Sequence, residues 1–265
     1  MTDKAKEIDH KAHEFVKMVK KKILHENRFF VDERFITYLD MVIEQSVVSI
    51  EEGEFFYRAR IYKEEDVYQK WRDGIASSKQ FKGYSADDSG AHPKPQRAGR
   101  ANPKGISYLY AATDIDTALL EVCNKRKTPV SVAKVVITKK MKVLDLASSV
   151  RSSGGTIHSQ EEQDELDFAF AVGCEIASEM NRTFFDDEEY ILTQFICEYV
   201  KKKGIDGILY QSTTHAGEEF EPREELSIGN NIVIFNKDNY TIASSDLYLV
   251  ENICIKKEQF RINDE

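Results

Sequence analysis

The segment Gly99-Arg100-Ala101-Asn102-Pro103-Lys104-Gly105, followed by Leu109-Tyr110-Ala111 and then Glu121, constrains this chain more than any other. It sets a cation, an aromatic ring and a carboxylate close in sequence, around a turn and the start of a helix. Gly99 and Gly105 permit backbone geometry that a side chain would forbid, and Pro103 stiffens the turn between them. Arg100 is thereby held on a defined loop, where its planar fork suits a phosphate better than a lysine would. Residues Ile106 to Ala112 read as a short buried strand with Tyr110 near its end. Thr113-x-x-Asp116 has the form of a capping box that opens a helix. On that helix Ile115, Ala118, Leu119 and Val122 form an apolar stripe, with Glu121 at its border. A carboxylate at the edge of a core face is partly desolvated and needs a partner.

Upstream, residues 1–53 read as a helical extension. Ala12, Phe15, Val16, Val19 and Ile23 recur at helical spacing, with lysines filling other positions. A second helix, roughly Asp32 to Ile50, puts Phe35, Leu39, Val42 and Ile43 on one side. The pair is expected to pack on the main domain, the alternative being that the lysines mark an interaction face. The main domain is set at 54–240 and a C-terminal extension at 241–265. Phe55–Ile61 reads as its first strand, with Arg58 directed to one face and Arg60 expected on the other. A short helix follows at Glu64–Arg72, then a long loop to Arg97. Strands are expected at Val130–Thr138, Lys142–Leu146, Gly207–Tyr210 and Asn231–Asn236, the last clear strand of the core. Helices are expected at Glu161–Met180 and Asp187–Lys203, with Gly204 as the stop. Strands and helices mix without regular alternation, which makes the fold class α+β rather than doubly wound.

A chain of 265 residues with 41% hydrophobic and 31% charged residues has the composition of a globular protein. Its net charge of −9 argues against a general nucleic-acid or membrane binder, which needs a basic face. Cys123, Cys174, Cys197 and Cys254 are widely spaced with no CxxC pair, which fits reduced thiols and no zinc site. No apolar run is long enough for a signal peptide or a span, so a cytoplasmic location is the default. His10 and His13 lie among lysines on the first helix, and His215 has no evident co-ligands, so no metal is expected.

Five pieces in order resemble the RES-domain family, NAD-consuming bacterial toxins with an ADP-ribosyltransferase-like fold. They are Phe56-Tyr57-Arg58, the Gly99–Gly105 turn, Leu109-Tyr110 with Ala118-Leu119-Leu120-Glu121, Gly204 to Ser212, and Asn231-x-Val233-x-Phe235. The resemblance spans about Phe55 to Phe235. It implies cleavage of the nicotinamide–ribose bond of NAD by water or inorganic phosphate, with NAD as substrate. It also brings an antitoxin as partner, although nothing in the chain itself shows one. An autonomous member of the family, acting in stress or phage defence, is equally compatible, and a homo-oligomer stays open as a further assembly. The long N-terminal part and the loop from Gly74 to Arg97 depart from the small members of the family.

On that resemblance the site residues take roles. Arg58 and Arg100 would neutralise phosphate, and Tyr110 would offer a flat face to the nicotinamide or ribose. Glu121 would stabilise positive charge developing on the sugar. Ser212 would fix ribose or nicotinamide through its hydroxyl, and Asn231 would position the loop. Each also has a plain structural reading. Arg58 could pair with a local acid, Tyr110 could be core, Glu121 an ordinary helix-border charge, and Ser212 turn chemistry. Two alternatives stay open: a mono-ADP-ribosyltransferase acting on a macromolecule, and a non-catalytic nucleotide-responsive interaction protein.

Overall fold

The computed structural model describes residues 3–62, 83–95, 97–123, 128–148, 159–182, 187–212 and 229–250. Its chain begins with helix α1 (Asp3–His25), whose Ala12, Val16, Val19 and Ile23 are buried at the spacing the sequence displays. Helix α2 (Glu33–Ser46) starts at Asp32, whose carboxylate accepts from Arg34 N. It ends four residues early, and Val47–Ile50 turns into a strand, β1, instead of prolonging the helix.

The remaining elements, in chain order, are β2 (Phe55–Ile61), the short α3 (Ala86–Ser89), β3 (Leu109–Ala112) and α4 (Ile115–Val122). They continue with β4 (Thr128–Ile137), β5 (Met141–Asp145) and α5 (Gln160–Asn181). A 3-10 turn at Asp187–Tyr190 leads into α6 (Ile191–Lys202), followed by β6 (Gly207–Gln211), β7 (Asn230–Ile234) and β8 (Tyr240–Val250). The expected helix at Glu64–Arg72 and the acidic loop that includes His215 lie outside the described residues.

All eight strands form one mixed sheet in the order β1-β5-β6-β7-β3-β2-β4-β8. Only β5 and β6 run parallel; the other neighbours are antiparallel. The fold is therefore α+β with N-terminal helices. β8 pairs with β4 from Thr128–Val250 to Ile137–Tyr240, so the sheet does not end at Asn231–Asn236 as expected. β1 and β8 carry the sheet past both boundaries drawn at 53/54 and 240/241.

α1 and α2 pack with α5 and α6 over β5, β6 and β7, in a core that contains Phe35, Leu39, Ile176, Met180, Leu192, Ile196, Leu144 and Ile208. Pairs such as Lys4–Asp164 at 2.7 Å and Lys20–Glu179 at 2.7 Å join α1 to α5. These lysines thus flank a packed interface rather than standing apart from it. On the other face Phe56, Leu109, Ala111, Val143, Ile232 and Ile234 form a second cluster. A third, under α4, joins Cys123, Val130 and Val132 with Tyr57, Ala59, Leu119 and Val122.

The sheet loosens in its middle. Within the described residues β2 and β3 are registered only at Tyr57–Ala112, whereas β2 and β4 are registered over seven residues. The helical layer therefore divides at this point, with the bundle on one side and α4 on the other.

Candidate active site

A narrow pocket of about 100 Å³ opens where β2 and β3 separate. Its lining includes Tyr57 and Ala59 of β2, Tyr110 of β3, Ala118 and Glu121 of α4, Tyr210 of β6 and Asn231 of β7. Helix α4 is aimed at it by its cap. The N-cap is Asp114, one residue later than expected, with Oδ1 accepting from Thr117 N at 2.7 Å and Oδ2 from Thr117 Oγ1 at 2.7 Å. Thr113 does not serve, because it continues the ladder to β7: its N–H donates to Asn230 O at 2.9 Å and its Oγ1 accepts from Asn230 N at 3.1 Å. Two turns on, Glu121 reaches over the strand ends.

Glu121 Oε1 accepts from Ser212 Oγ at 2.6 Å and from Asn231 Nδ2 at 2.6 Å. Both donors are buried, at the end of β6 and the start of β7. At 2.6 Å the hydroxyl contact is at the short end of O–H···O hydrogen bonds. With Oε1 doubly bonded, the carboxyl plane is fixed. Among the described residues Oε2 takes no bond, and it is left to the pocket.

The Gly99–Gly105 turn holds the next two residues. Tyr110 Oη accepts from Ala101 N at 3.0 Å and donates to Asn102 Oδ1 at 2.5 Å. Its hydroxyl is thus consumed by the turn, and the ring alone faces the pocket. Gly99 is required by this contact: a Cβ there would stand 2.7 Å from Asn102 Oδ1 and 2.8 Å from Tyr110 Oη. Gly105 is required for another reason, its φ of +88°. Arg100 is half-buried and more committed than a loop arginine was expected to be. Its Nη1 donates to Met180 O at 2.5 Å, and its guanidinium lies 5.4 Å from the ring centre of Tyr210. Burial pushes the phenols of Tyr110 and Tyr210 far above their ordinary range, so both stay neutral donors.

Glu121, Ser212, Asn231 and Tyr110 are brought together, and Arg100 meets them through Tyr210. Arg58 is not in this cluster. It alternates with Tyr57 and Ala59, which line the pocket, and no hydrogen bond or ion pair joins it to Glu121, Ser212 or Asn231. Residues two apart in a strand share a face, so Arg60 lies on the side of Arg58 and not opposite it. Arg60 Nη1 donates to Asp88 O, and its guanidinium stacks 5.0 Å from Tyr84. Arg58 has no such outlet. Its Nε and Nη1 are buried without a hydrogen-bond partner. Burial, with the like charge of Arg60, lowers its pKa to about 10, so it remains a cation at neutral pH.

Sequence reasoning gave no role to Tyr57, Tyr210 or Asn102. The signal available for Tyr57 and Tyr210 is period-two alternation about Ala59 and Ser212, which puts both on the pocket face. Asn102 had no signal beyond its place in the turn. Among the described residues no group of three or more His, Cys, Asp or Glu is placed to hold a metal ion. No described helix is long and apolar enough to cross a membrane.

The RES domain family model matches residues 71–249, more than half of the chain, and the protein belongs to the RES-domain family. The match begins past Phe56-Tyr57-Arg58 and runs beyond Phe235 to include β8, so its limits differ from those read from the sequence. Among solved structures the chain is similar to the crystal structure of the M. tuberculosis MbcT-MbcA toxin-antitoxin complex. That similarity has 14% identity, covers 82% of this chain and 93% of the other, and has a TM-score of 0.39. No curated protein matches the chain.

Proposed function

We propose that the protein is a toxin-type enzyme that cleaves the nicotinamide–ribose bond of NAD, with Glu121 as the group facing the sugar. The observation that carries this reading is that Glu121 lines a pocket together with three tyrosines, while Ser212 and Asn231 bond one carboxylate oxygen and leave the other without a bond among the described residues. A pocket of about 100 Å³ has room for one ring, so nicotinamide would enter it and the rest of NAD would lie outside. When the bond between ribose C1′ and the nicotinamide nitrogen breaks, the electron pair leaves with nicotinamide and positive charge builds on the sugar. Oε2 of Glu121 would stabilise that charge. The oxygen of water, or of phosphate, then bonds to C1′; water gives up a proton and leaves ADP-ribose.

The pyrophosphate needs cations. Arg100 keeps guanidinium donors beyond the one used on Met180. Arg58 stands on the face of β2 opposite Tyr57 and Ala59, so it would reach the anion only through the loosened seam, one residue past the Tyr57–Ala112 pair, with Nε and Nη1 buried and lacking an acceptor. An unpartnered buried cation supports an anion-binding role, because leaving it unsatisfied is costly. On this reading the protein would act in the cytoplasm and would be held inactive by a protein antitoxin.

Purified protein incubated with NAD should release nicotinamide, followed by chromatography with and without phosphate. ADP-ribose as the second product means hydrolysis, and ADP-ribose 1-phosphate means phosphorolysis. Label from NAD passing to a macromolecule would instead make the protein a mono-ADP-ribosyltransferase. Absence of nicotinamide release from folded protein overturns the proposal.

A further inference from the structure

The turn between α1 and α2 carries two adjacent phenylalanines that the fold leaves in water. Phe29 is 87% exposed and Phe30 is 83% exposed. They are held out by design of the local backbone, since Asn27 Oδ1 accepts from both Phe29 N at 3.0 Å and Phe30 N at 3.2 Å. Both also line the edge of a groove of about 740 Å³, whose apolar lining further includes Ile36, Ile106, Ile191 and Phe195. A projecting aromatic pair and an apolar groove thus share one face. Two adjacent aromatic rings left in water beside an apolar groove make this face a candidate interaction site.

The charges along the groove favour an occupant that carries both signs. Its lining includes Arg28 and Lys202, and also Glu33 and Glu198, two of each sign. None of the four side chains makes an ion pair among the described residues. The chain as a whole carries a net charge of −9, so two copies repel over most of their surfaces. A charge-balanced face is where they can meet without that cost. The second apolar groove, at the start of α1 and α5, is lined by Asp9, Asp167 and Glu175 against Lys4, an excess of acid. It does not meet this condition.

We propose that the face formed by the α1–α2 turn and α6 is the docking surface for a second copy of this chain. A two-fold arrangement suits it, because an isologous interface uses the same patch twice and requires that patch to complement itself. Phe29 and Phe30 of each copy would enter the groove of the other. The unpaired cations of one would meet the unpaired acids of its partner at the rim, where such pairs set register. The groove also includes Gln194, whose Nε2 donates to Gly99 O at 2.9 Å. The second copy would therefore rest against the back of the turn that carries Arg100.

Sedimentation velocity on the full chain over a concentration series tests this directly. The wild-type chain is expected to be a dimer at concentrations on the order of 10 µM. Phe29→Ser with Phe30→Ser should be a monomer there, with its thermal melt unchanged because neither ring is packed. Glu33→Lys with Glu198→Lys makes the rim wholly positive and should also weaken the dimer at least about tenfold. This second variant decides the matter alone if the first does not fold. A wild-type monomer at on the order of 100 µM, or a dimer indifferent to the rim reversal, overturns the proposal.

Discussion

Ser212 Oγ lies 2.6 Å from Glu121 Oε1 although 91 residues separate them in the chain. The contact joins the end of β6 to the last turn of α4 across the gap where the sheet loosens, and Asn231 donates to the same oxygen from β7. Replacing either donor should let the carboxylate rotate. Ser212→Ala and Asn231→Ala are each expected to lower kcat for NAD cleavage by about ten- to a hundredfold. Because both act on one atom, the double variant should lose less than the product of the two, which a mutant cycle on nicotinamide release measures.

Arg58 should show a conflict between stability and binding. Its Nε and Nη1 are buried with no acceptor, so the fold carries a cation with two unsatisfied donors. Arg58→Met removes that burden and is expected to raise stability by ~1–3 kcal/mol, seen as a melting point several degrees higher. The same variant should raise KM for NAD. A higher melting point with an unchanged KM would remove Arg58 from the site and leave it a structural oddity of β2.

Arg100→Lys separates fork geometry from charge. Lysine cannot reproduce both the bond to Met180 O and the stack on Tyr210 while also presenting two parallel donors to a phosphate. We expect KM for NAD to rise, kcat to change much less, and stability to fall by about 1 kcal/mol. A collapsed kcat at constant KM would move Arg100 from the pyrophosphate to the reacting centre.

Tyr108, Tyr110 and Tyr210 predict the alkaline limit of the fold. Burial raises all three phenols above their ordinary 10.0. Above that pH an unfolded chain sheds protons that the native chain retains, so the unfolded state gains. Their contribution is complete below pH 10 and is lost as pH rises beyond it. Phenolate absorbance of these three should appear together with the loss of native circular dichroism, and not before it.

What the sequence disclosed follows the range of the interactions involved. The Gly99–Gly105 turn, Tyr110 and the apolar stripe of α4 are local, and they could be read from spacing. The N-cap fell one residue off because Thr113 is taken by Asn230, a partner far along the chain. β1 was absorbed into α2, since four residues cannot show whether an apolar pattern has period 3.6 or 2. β8 was overlooked because Thr241-Ile242-Ala243-Ser244-Ser245-Asp246 is polar, and its place in the sheet depends on β4. The convergence of Ser212 and Asn231 on Glu121 is wholly tertiary; the family resemblance puts the three residues in one site but gives no contact between them. The same limit hid the tyrosine walls: each ring looks like core until the loosened β2–β3 seam is known.

The central claim is that the free oxygen of Glu121 stabilises charge on the ribose of NAD, and Glu121→Gln tests it most directly. Glutamine keeps the shape, and its carbonyl can still accept from Ser212 and Asn231, but the negative charge is gone. Nicotinamide release measured beside NAD binding, for both proteins, should show binding retained and kcat lower by at least about a hundredfold. Turnover by Glu121→Gln equal to that of the unmodified protein would contradict the account.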